Sequence, residues 1–390
     1  MPEVIVVGGG VTGVGVARDL ALRGVNVTLV ERDGIAAGTS GRMHGLLHSG
    51  ARYAVSDPAS ARECRREGRV LRSIAPHCVT ETGGLFVSLP SDPDHVGRLR
   101  RACADAGVET VTLSGDEARE LEPTLSPAVE RAVRVPDAVV RPVRLCLATA
   151  LDADRAGARV RTGAEVADLR TEGGRVSGVA LASGERLAAD HVVNAAGPWA
   201  GGLASAAGVD LSVTPSRGVM VVLDGPAVGR VLNRCRPRSE GDVLVPVDGR
   251  PVAGTTDRPV DDPDDYPREA AEVAAVRESL SAVVPELRAA SVVESYWGVR
   301  PLYGATDDAT EASRGFAVRT ERGLTSVVGG KLTTHRPMAA VAADEVCERL
   351  GVDADAATAE RPLPADETAL RAAARRWAGR SPVPGAPAGD

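Results

Sequence analysis

Lys331 is the only lysine among 46 Lys and Arg residues, and it stands between a double glycine and a double threonine in Gly329-Gly330-Lys331-Leu332-Thr333-Thr334-His335-Arg336. A compact ammonium and a planar guanidinium are not interchangeable at a packed ligand site, so this exception to an arginine-rich composition points to a contact that only a small cation makes. Upstream, in Gly298-Val299-Arg300-Pro301-Leu302, Arg300 sits among apolar and aromatic neighbours. Arg300 and Arg314 together could clamp an oxyanion, because a guanidinium fork matches carboxylate and phosphate oxygens bidentately. His48 opens a further stretch, His48-Ser49-Gly50-Ala51-Arg52-Tyr53. Its ordinary pKa suits a general base, and packing against a cofactor is an equally good reading of it. Tyr53 and Tyr303 could offer hydroxyls or line a pocket. Five of the nine aromatic residues (Tyr53, Trp199, Tyr296, Trp297, Tyr303) fall in or beside these stretches. In so aromatic-poor a chain that clustering favours a shaped pocket.

The elements that must hold these residues begin at the N-terminus. Val4-Ile5-Val6-Val7 is a β-branched run of the kind buried on both faces of a parallel sheet. It leads into Gly8-Gly9-Gly10-Val11-Thr12-Gly13, a G-x-G-x-x-G turn, then a helix expected over Gly15 to Arg23 and a second strand from Val25 to Val30 ending in Glu31. Gly8 allows the tight turn, Gly10 lets a pyrophosphate approach the backbone, and Gly13 lets helix and strand pack closely. Glu31 can then accept both ribose hydroxyls, which disfavours a 2′-phosphate. The small and hydroxyl residues that follow, Gly38-Thr39-Ser40-Gly41, suit a loop that wraps further along a long dinucleotide.

Downstream, helices are expected over about 55–75, over 94–106, 114–121 and 143–156, and a strand over Phe86 to Pro90. Arg159 to Leu181 reads as a hairpin about Gly173-Gly174. His191-Val192-Val193-Asn194 is a buried strand that ends in Ala195-Ala196-Gly197, small residues open to close approach. Several strand-like runs over about 210–320 and a helix over 268–284 suggest an antiparallel sheet forming a substrate lobe. Val327-Val328 returns to the first domain, Gly329-Gly330 turns, and a helix follows from Thr334 to Leu350, its N-terminus placed to stabilise negative charge on the ligand.

Composition excludes several classes. A net charge of −7 and a sequence of 390 residues with 43% hydrophobic content describe a folded acidic chain without the basic excess that nucleic-acid binding needs. The six cysteines show no C-x-x-C spacing, which argues against iron–sulfur or zinc sites and for buried thiols in a reducing, cytoplasmic setting. His44 and His48 are four apart but lack a third ligand nearby, so no metal is expected. No stretch reads as a signal peptide or membrane span.

The order of these motifs, with Asn194-Ala195-Ala196-Gly197-Pro198-Trp199 between them, resembles the FAD-dependent glycerol-3-phosphate dehydrogenases, and Gly41 to Pro90 is most similar to the catalytic subunit of the anaerobic enzyme. The likeness covers roughly 1–365. It implies an α/β fold with a Rossmann-like, glutathione-reductase-type FAD-binding domain (1–80, 140–210 and 322–350) and a mainly antiparallel-sheet substrate domain (81–139 and 211–321); the sequence departs from the anaerobic enzyme at 351–390, where a helix and tail without cysteine are expected in place of a cysteine-rich domain. It implies hydride transfer from sn-glycerol 3-phosphate to flavin N5, giving dihydroxyacetone phosphate. Another small phosphate, phosphonate or 2-hydroxy acid is the alternative substrate. Cofactor-facing positions on this resemblance are Gly8, Gly10, Val11, Thr12, Gly13, Glu31, Arg32, Thr39, Ser40, Gly45, Leu46, Val166, Ala195, Ala196, Gly197, Trp199, Gly330, Leu332 and Thr333. Arg52, Tyr53, Arg300, Tyr303, Arg314 and Lys331 would hold the substrate, with His48, Lys331 and Arg300 at the chemistry. Quinone, a partner flavoprotein and oxygen are all compatible as electron acceptor, as is peripheral attachment at the inner membrane face, and the sequence leaves the oligomeric state open.

Overall fold

The β-branched run at the N-terminus forms strand β1 (Glu3–Val7), and it is buried because it lies in the middle of a six-stranded sheet. The structure is a computed structural model that describes residues 1–304, 315–355 and 357–377. From one edge the strand order is Phe316–Glu321, Leu324–Gly329, His191–Asn194, β1, β2 (Asn26–Val30) and Arg159–Arg161. All neighbours are parallel except the first pair. Val7 lies opposite both Val30 and Asn194, so three strands end in line. That shared edge sets Gly8, Glu31 and Ala195 side by side, at the position where open parallel sheets bind ligands.

Helix α1 (Val11–Leu22) starts one turn earlier than the sequence suggested, taking Gly13 into its first turn. A Cβ on Gly13 would stand 1.9 Å from the Gly8 carbonyl oxygen, so helix and turn meet at a distance only glycine permits. Behind the sheet, α1 packs on Pro142–Arg155 and His335–Leu350, and Glu367–Trp377 covers Pro142–Arg155 with Trp377 buried. Arg18, fully inside, joins these layers: Nε donates to Asp152 Oδ2 at 2.8 Å, and the Nη groups donate to the carbonyls of Thr358 (3.2 Å) and Arg361 (2.8 Å).

The second body is a nine-stranded sheet. Its spine is the long strand Val213–Asp224, paired antiparallel along its whole length with Ser291–Tyr303. The register sets Ser216 opposite Arg300 and Gly218 opposite Gly298. The sheet is antiparallel except where Val231–Arg234 runs parallel to Gly84–Ser88.

Three sequence expectations change. Phe316–Glu321, grouped with the substrate domain, is the edge strand of the six-stranded sheet, because Arg322 and Gly323 (φ 51° and 79°) fold it back on Leu324–Gly329. Only the latter part of Arg159–Leu181 is a hairpin: Val166–Glu172 and Arg175–Leu181 turn through the left-handed Gly173-Gly174, while Arg159–Arg161 pairs with β2. Ala138–Val140, at the expected domain boundary, bonds to Leu46–Leu47 and Val79–Thr80 in a small sheet of its own. Among the described residues no helix is long and apolar enough to cross a membrane.

Removing one partner of a buried ion pair leaves the other charge uncompensated. Arg18→Met should therefore destabilise the fold by about 3 kcal/mol, the low end for such losses because Arg361 still reaches Asp152 at 3.2 Å. Urea unfolding followed by circular dichroism measures it, and an unchanged midpoint would refute the role given to Arg18.

Candidate active site

A cavity of about 780 Å³ runs along the aligned strand ends and into the seam between the two bodies. At one end Glu31 is fixed by two backbone donors: Gly9 N–H to Oε2 at 2.6 Å and Asp33 N–H to Oε1 at 2.8 Å. Each oxygen keeps lone-pair capacity for a ribose hydroxyl. Burial pushes the Glu31 carboxyl above the ordinary glutamate value, and the Asp33 and Gly9 N–H groups work in the opposite direction. Beside it Arg32 grips Asp264 with both Nη groups, at 2.6 and 3.1 Å, and stacks 4.2 Å over the Trp199 ring, whose Nε1 also donates to Asp264, at 2.7 Å. The Arg32 guanidinium and the Trp199 N–H hold the Asp264 carboxyl below its ordinary value. A residue from the second body thus closes over this end.

The middle of the cavity is the glycine turn. Gly8 has φ 111°, and a Cβ there would lie 2.5 Å from the Ala195 carbonyl oxygen. Gly10, Val11 and Thr12 line the cavity at the start of α1, and Val11 N–H donates to Ser40 Oγ at 2.9 Å. A tight glycine turn that packs against the neighbouring strand end and lines the cavity at a helix N-terminus fits a pyrophosphate. With the ribose acceptor at one end and an extended cleft beyond, the residues present fit FAD.

The far end is made at the seam. Thr39 Oγ1 donates to the Val299 carbonyl, Tyr296 O–H donates to the Met43 carbonyl at 3.3 Å, and a Cβ on Gly298 would stand 2.4 Å from the Arg42 carbonyl oxygen. These contacts bring Arg300 to the same cavity as His48, Arg52 and Tyr53. Arg300 reaches Asp257 Oδ1 at 3.2 Å, Thr255 Oγ1 at 2.7 Å and the Thr256 carbonyl at 3.1 Å. Arg52 donates to Asn233 Oδ1 at 3.2 Å. His48 is buried, with Nε2 3.4 Å from the Tyr53 hydroxyl and the rings edge to face at 5.0 Å. Lys331 Nζ lies over the Tyr53 ring, 4.7 Å from its centre, and donates to Ser60 Oγ at 2.9 Å. Gly329 and Gly330 (φ 87° and 73°) make the turn, and a 3-10 turn, Leu332–Thr334, runs into His335–Leu350.

The cavity gathers most of the residues singled out from sequence: Gly8, Gly10, Val11, Thr12, Glu31, Arg32, Thr39, Ser40, Leu46, His48, Arg52, Tyr53, Val166, Ala195, Ala196, Gly197, Trp199, Arg300, Gly330, Lys331, Leu332 and Thr333. Three do not line it. Gly13 acts through packing against Gly8. Gly45 turns the chain at φ 77°, against the Val140 carbonyl. Tyr303 points elsewhere, its hydroxyl accepting from Arg319 Nη2 at 3.0 Å, because a strand alternates its faces and Arg300 and Tyr303 are an odd number apart. Arg314 lies outside the described residues. The sequence reading missed Asp257 and Thr255 behind Arg300, Asp264 at the ribose end, Ser60 at Lys331 and His44 in the lining. Only His44, four residues before His48, carried a signal in its neighbours. Among the described residues no three His, Cys, Asp or Glu side chains gather as metal ligands, and all six cysteines are buried thiols.

The model of the FAD-dependent oxidoreductases, DAO, matches residues 3–336. The chain is 48% identical over 409 aligned positions to the A1 subunit of the anaerobic glycerol-3-phosphate dehydrogenase of Haloferax volcanii, covering 98% of this chain and 70% of that one. It is 42% identical to the A subunit of the Escherichia coli K12 enzyme, covering 94% and 70%. Among solved structures, the glycerol-3-phosphate dehydrogenase from Bacillus halodurans complexed with FAD superposes with a TM-score of 0.70 at 25% identity, over 93% of this chain and 68% of that one.

The raised Glu31 pKa has a sign that binding can read. In the unliganded fold the carboxyl holds its proton more tightly than an ordinary glutamate, so ionising it costs stability as pH rises, whereas ribose hydroxyls bind the ionised form. Dinucleotide affinity should fall as pH drops, beginning above the ordinary value of 4.5. Fluorescence titration of FAD into apoprotein should show that decline in the wild type and not in Glu31→Gln.

Proposed function

The chain belongs to the FAD-dependent oxidoreductases and, within them, to the family of the anaerobic glycerol-3-phosphate dehydrogenase A subunits, and on that premise we propose that it oxidises sn-glycerol 3-phosphate to dihydroxyacetone phosphate. The observation that carries this reading is the convergence of Arg52, Arg300, Lys331 and His48 on the seam end of the FAD cleft. Three cations and one proton acceptor around a single end suit a small, phosphate-bearing alcohol.

The glycine turn, Glu31, Thr39–Ser40 and the Gly329–Thr333 turn would hold FAD, which would supply the hydride acceptor. The protein's own task is to place the carbinol carbon and remove the hydroxyl proton as the carbonyl forms. His48 takes that proton at Nε2. Its 3.4 Å contact with the Tyr53 hydroxyl is long for an O–H to nitrogen bond, so a substrate hydroxyl can replace it. Tyr53, packed between His48 and Lys331, fixes both. Arg52 and Arg300 hold the phosphate, Arg300 being oriented beforehand by Thr255, Thr256 and Asp257 so that little ordering remains for binding. Lys331 sits against Ser60 and the Tyr53 face, where one compact ammonium reaches the substrate oxygen as negative charge grows on it.

Anaerobic titration tests the reading: sn-glycerol 3-phosphate should bleach the flavin absorbance. Bleaching by a phosphonate or 2-hydroxy acid with none by glycerol 3-phosphate would overturn it. Lys331→Arg should keep FAD but lower kcat/KM by about 10–100-fold, since a planar fork cannot replace a point cation wedged between Ser60 and Tyr53. Steady-state kinetics on the flavin-replete variant checks this, and an unchanged kcat/KM would remove Lys331 from the chemistry.

A further inference from the structure

His44 lies in the cavity lining, on the segment that the seam pins from both sides. Arg42 meets Gly298, and Met43 receives the Tyr296 hydroxyl, so the residue that follows them has little freedom of position. Its Nδ1 accepts the Leu46 N–H at 3.1 Å, and in a neutral ring that places the proton on Nε2. The charges that act on the ring are Arg52, from the turn Ala51–Tyr53, and Arg300, from the strand Ser291–Tyr303, both in the same cavity lining. Arg52 is held by Asn233 and Arg300 by Asp257. Tyr296, whose hydroxyl reaches the neighbouring Met43 carbonyl, is pushed up to about 12 by burial and adds no charge.

We propose that His44 binds the anionic group of the substrate as a neutral hydrogen-bond donor through Nε2–H, in the same lining as the guanidinium groups of Arg52 and Arg300. The inference rests on the substrate reading above and adds a contact to it. With Nε2 carrying the proton, His44 cannot serve as the general base, which leaves that task to His48. Burial, with the two arginines beside it, brings its pKa down to about 3, so the ring stays neutral while the substrate phosphate is a dianion. The phosphate is then read by two fixed cations and one uncharged donor, a set that orients it without adding a further charge to Arg52, Arg300 and Lys331.

The test uses flavin-replete wild type, His44→Gln and His44→Leu. Glutamine can present an N–H near the position of Nε2, and leucine cannot. The first readout is the Kd of inorganic phosphate, from its perturbation of the flavin spectrum, over about pH 6 to about pH 8. The second is KM and kcat for sn-glycerol 3-phosphate. His44→Leu should raise the phosphate Kd and the KM by about tenfold or more, a lost bond to a charged acceptor. His44→Gln should recover most of that loss and follow the wild-type pH profile, since one neutral donor replaces another. Equal Kd values in wild type and His44→Leu, equal losses in both variants, or no phosphate binding by the wild type would each overturn the proposal. Loss of FAD from both variants would also overturn it, by placing His44 on the cofactor. If glycerol 3-phosphate fails to bleach the wild type while phosphate still binds in a His44-dependent way, the substrate reading falls and the donor stands.

Discussion

The strand Ser291–Tyr303 and the segment Thr39–Met43 touch without room for a side chain, and the site depends on that contact. At Gly298 a single added carbon would stand 2.4 Å from the Arg42 carbonyl oxygen. The hydrogen bonds from Thr39 and Tyr296 hold the approach on either side of it. Residues from two sheets therefore share one cavity: Arg300 comes from the long antiparallel strand, and His48, Arg52 and Tyr53 come from the segment that leaves the six-stranded sheet. Close packing converts a backbone contact into fixed distances between groups far apart in the chain.

Electrostatics at the two ends follow different plans. At the ribose end the acids are the working groups: Glu31 is steadied by backbone N–H donors, and Asp264 ties Arg32 and Trp199 together across the cleft. At the seam end the cations work, and each has a hydrogen-bond partner that orients it: Asp257 and the Thr255 hydroxyl for Arg300, Asn233 for Arg52, Ser60 for Lys331. Such partners lower the cost of confining like charges together. The aromatic faces of Tyr53 and Trp199 serve the same purpose by stacking with Lys331 and Arg32.

Much of the first body was legible from the sequence because its signals are local. A β-branched run, glycines at fixed offsets, a helix and an acid after the second strand describe one continuous segment, and the structure realises it with α1 starting a turn early to take in Gly13. The second body was legible as strands but not as an arrangement. That Phe316–Glu321 belongs to the six-stranded sheet turns on a tight bend at Arg322-Gly323, and that Val231–Arg234 runs parallel to Gly84–Ser88 joins segments far apart in the chain. Tyr303 shows the limit at a single residue: it belongs to the motif of Arg300 by sequence, yet strand alternation turns it toward Arg319.

The sequence by itself determined which chemistry was available: a dinucleotide turn with its ribose acid, a lone ammonium among guanidinium groups, and a histidine beside an arginine and a tyrosine. It could do so because those demands fall on residue type and short spacing. Only the tertiary structure decided which partners tune each group, for Asp257, Asp264, Asn233 and Ser60 approach from segments remote in the chain and carry no local pattern. It also gave His44 its tautomer and its place in the same cavity lining as Arg52 and Arg300. A hydrogen-bond partner set by packing is a property of the fold, and no spacing along one segment encodes it.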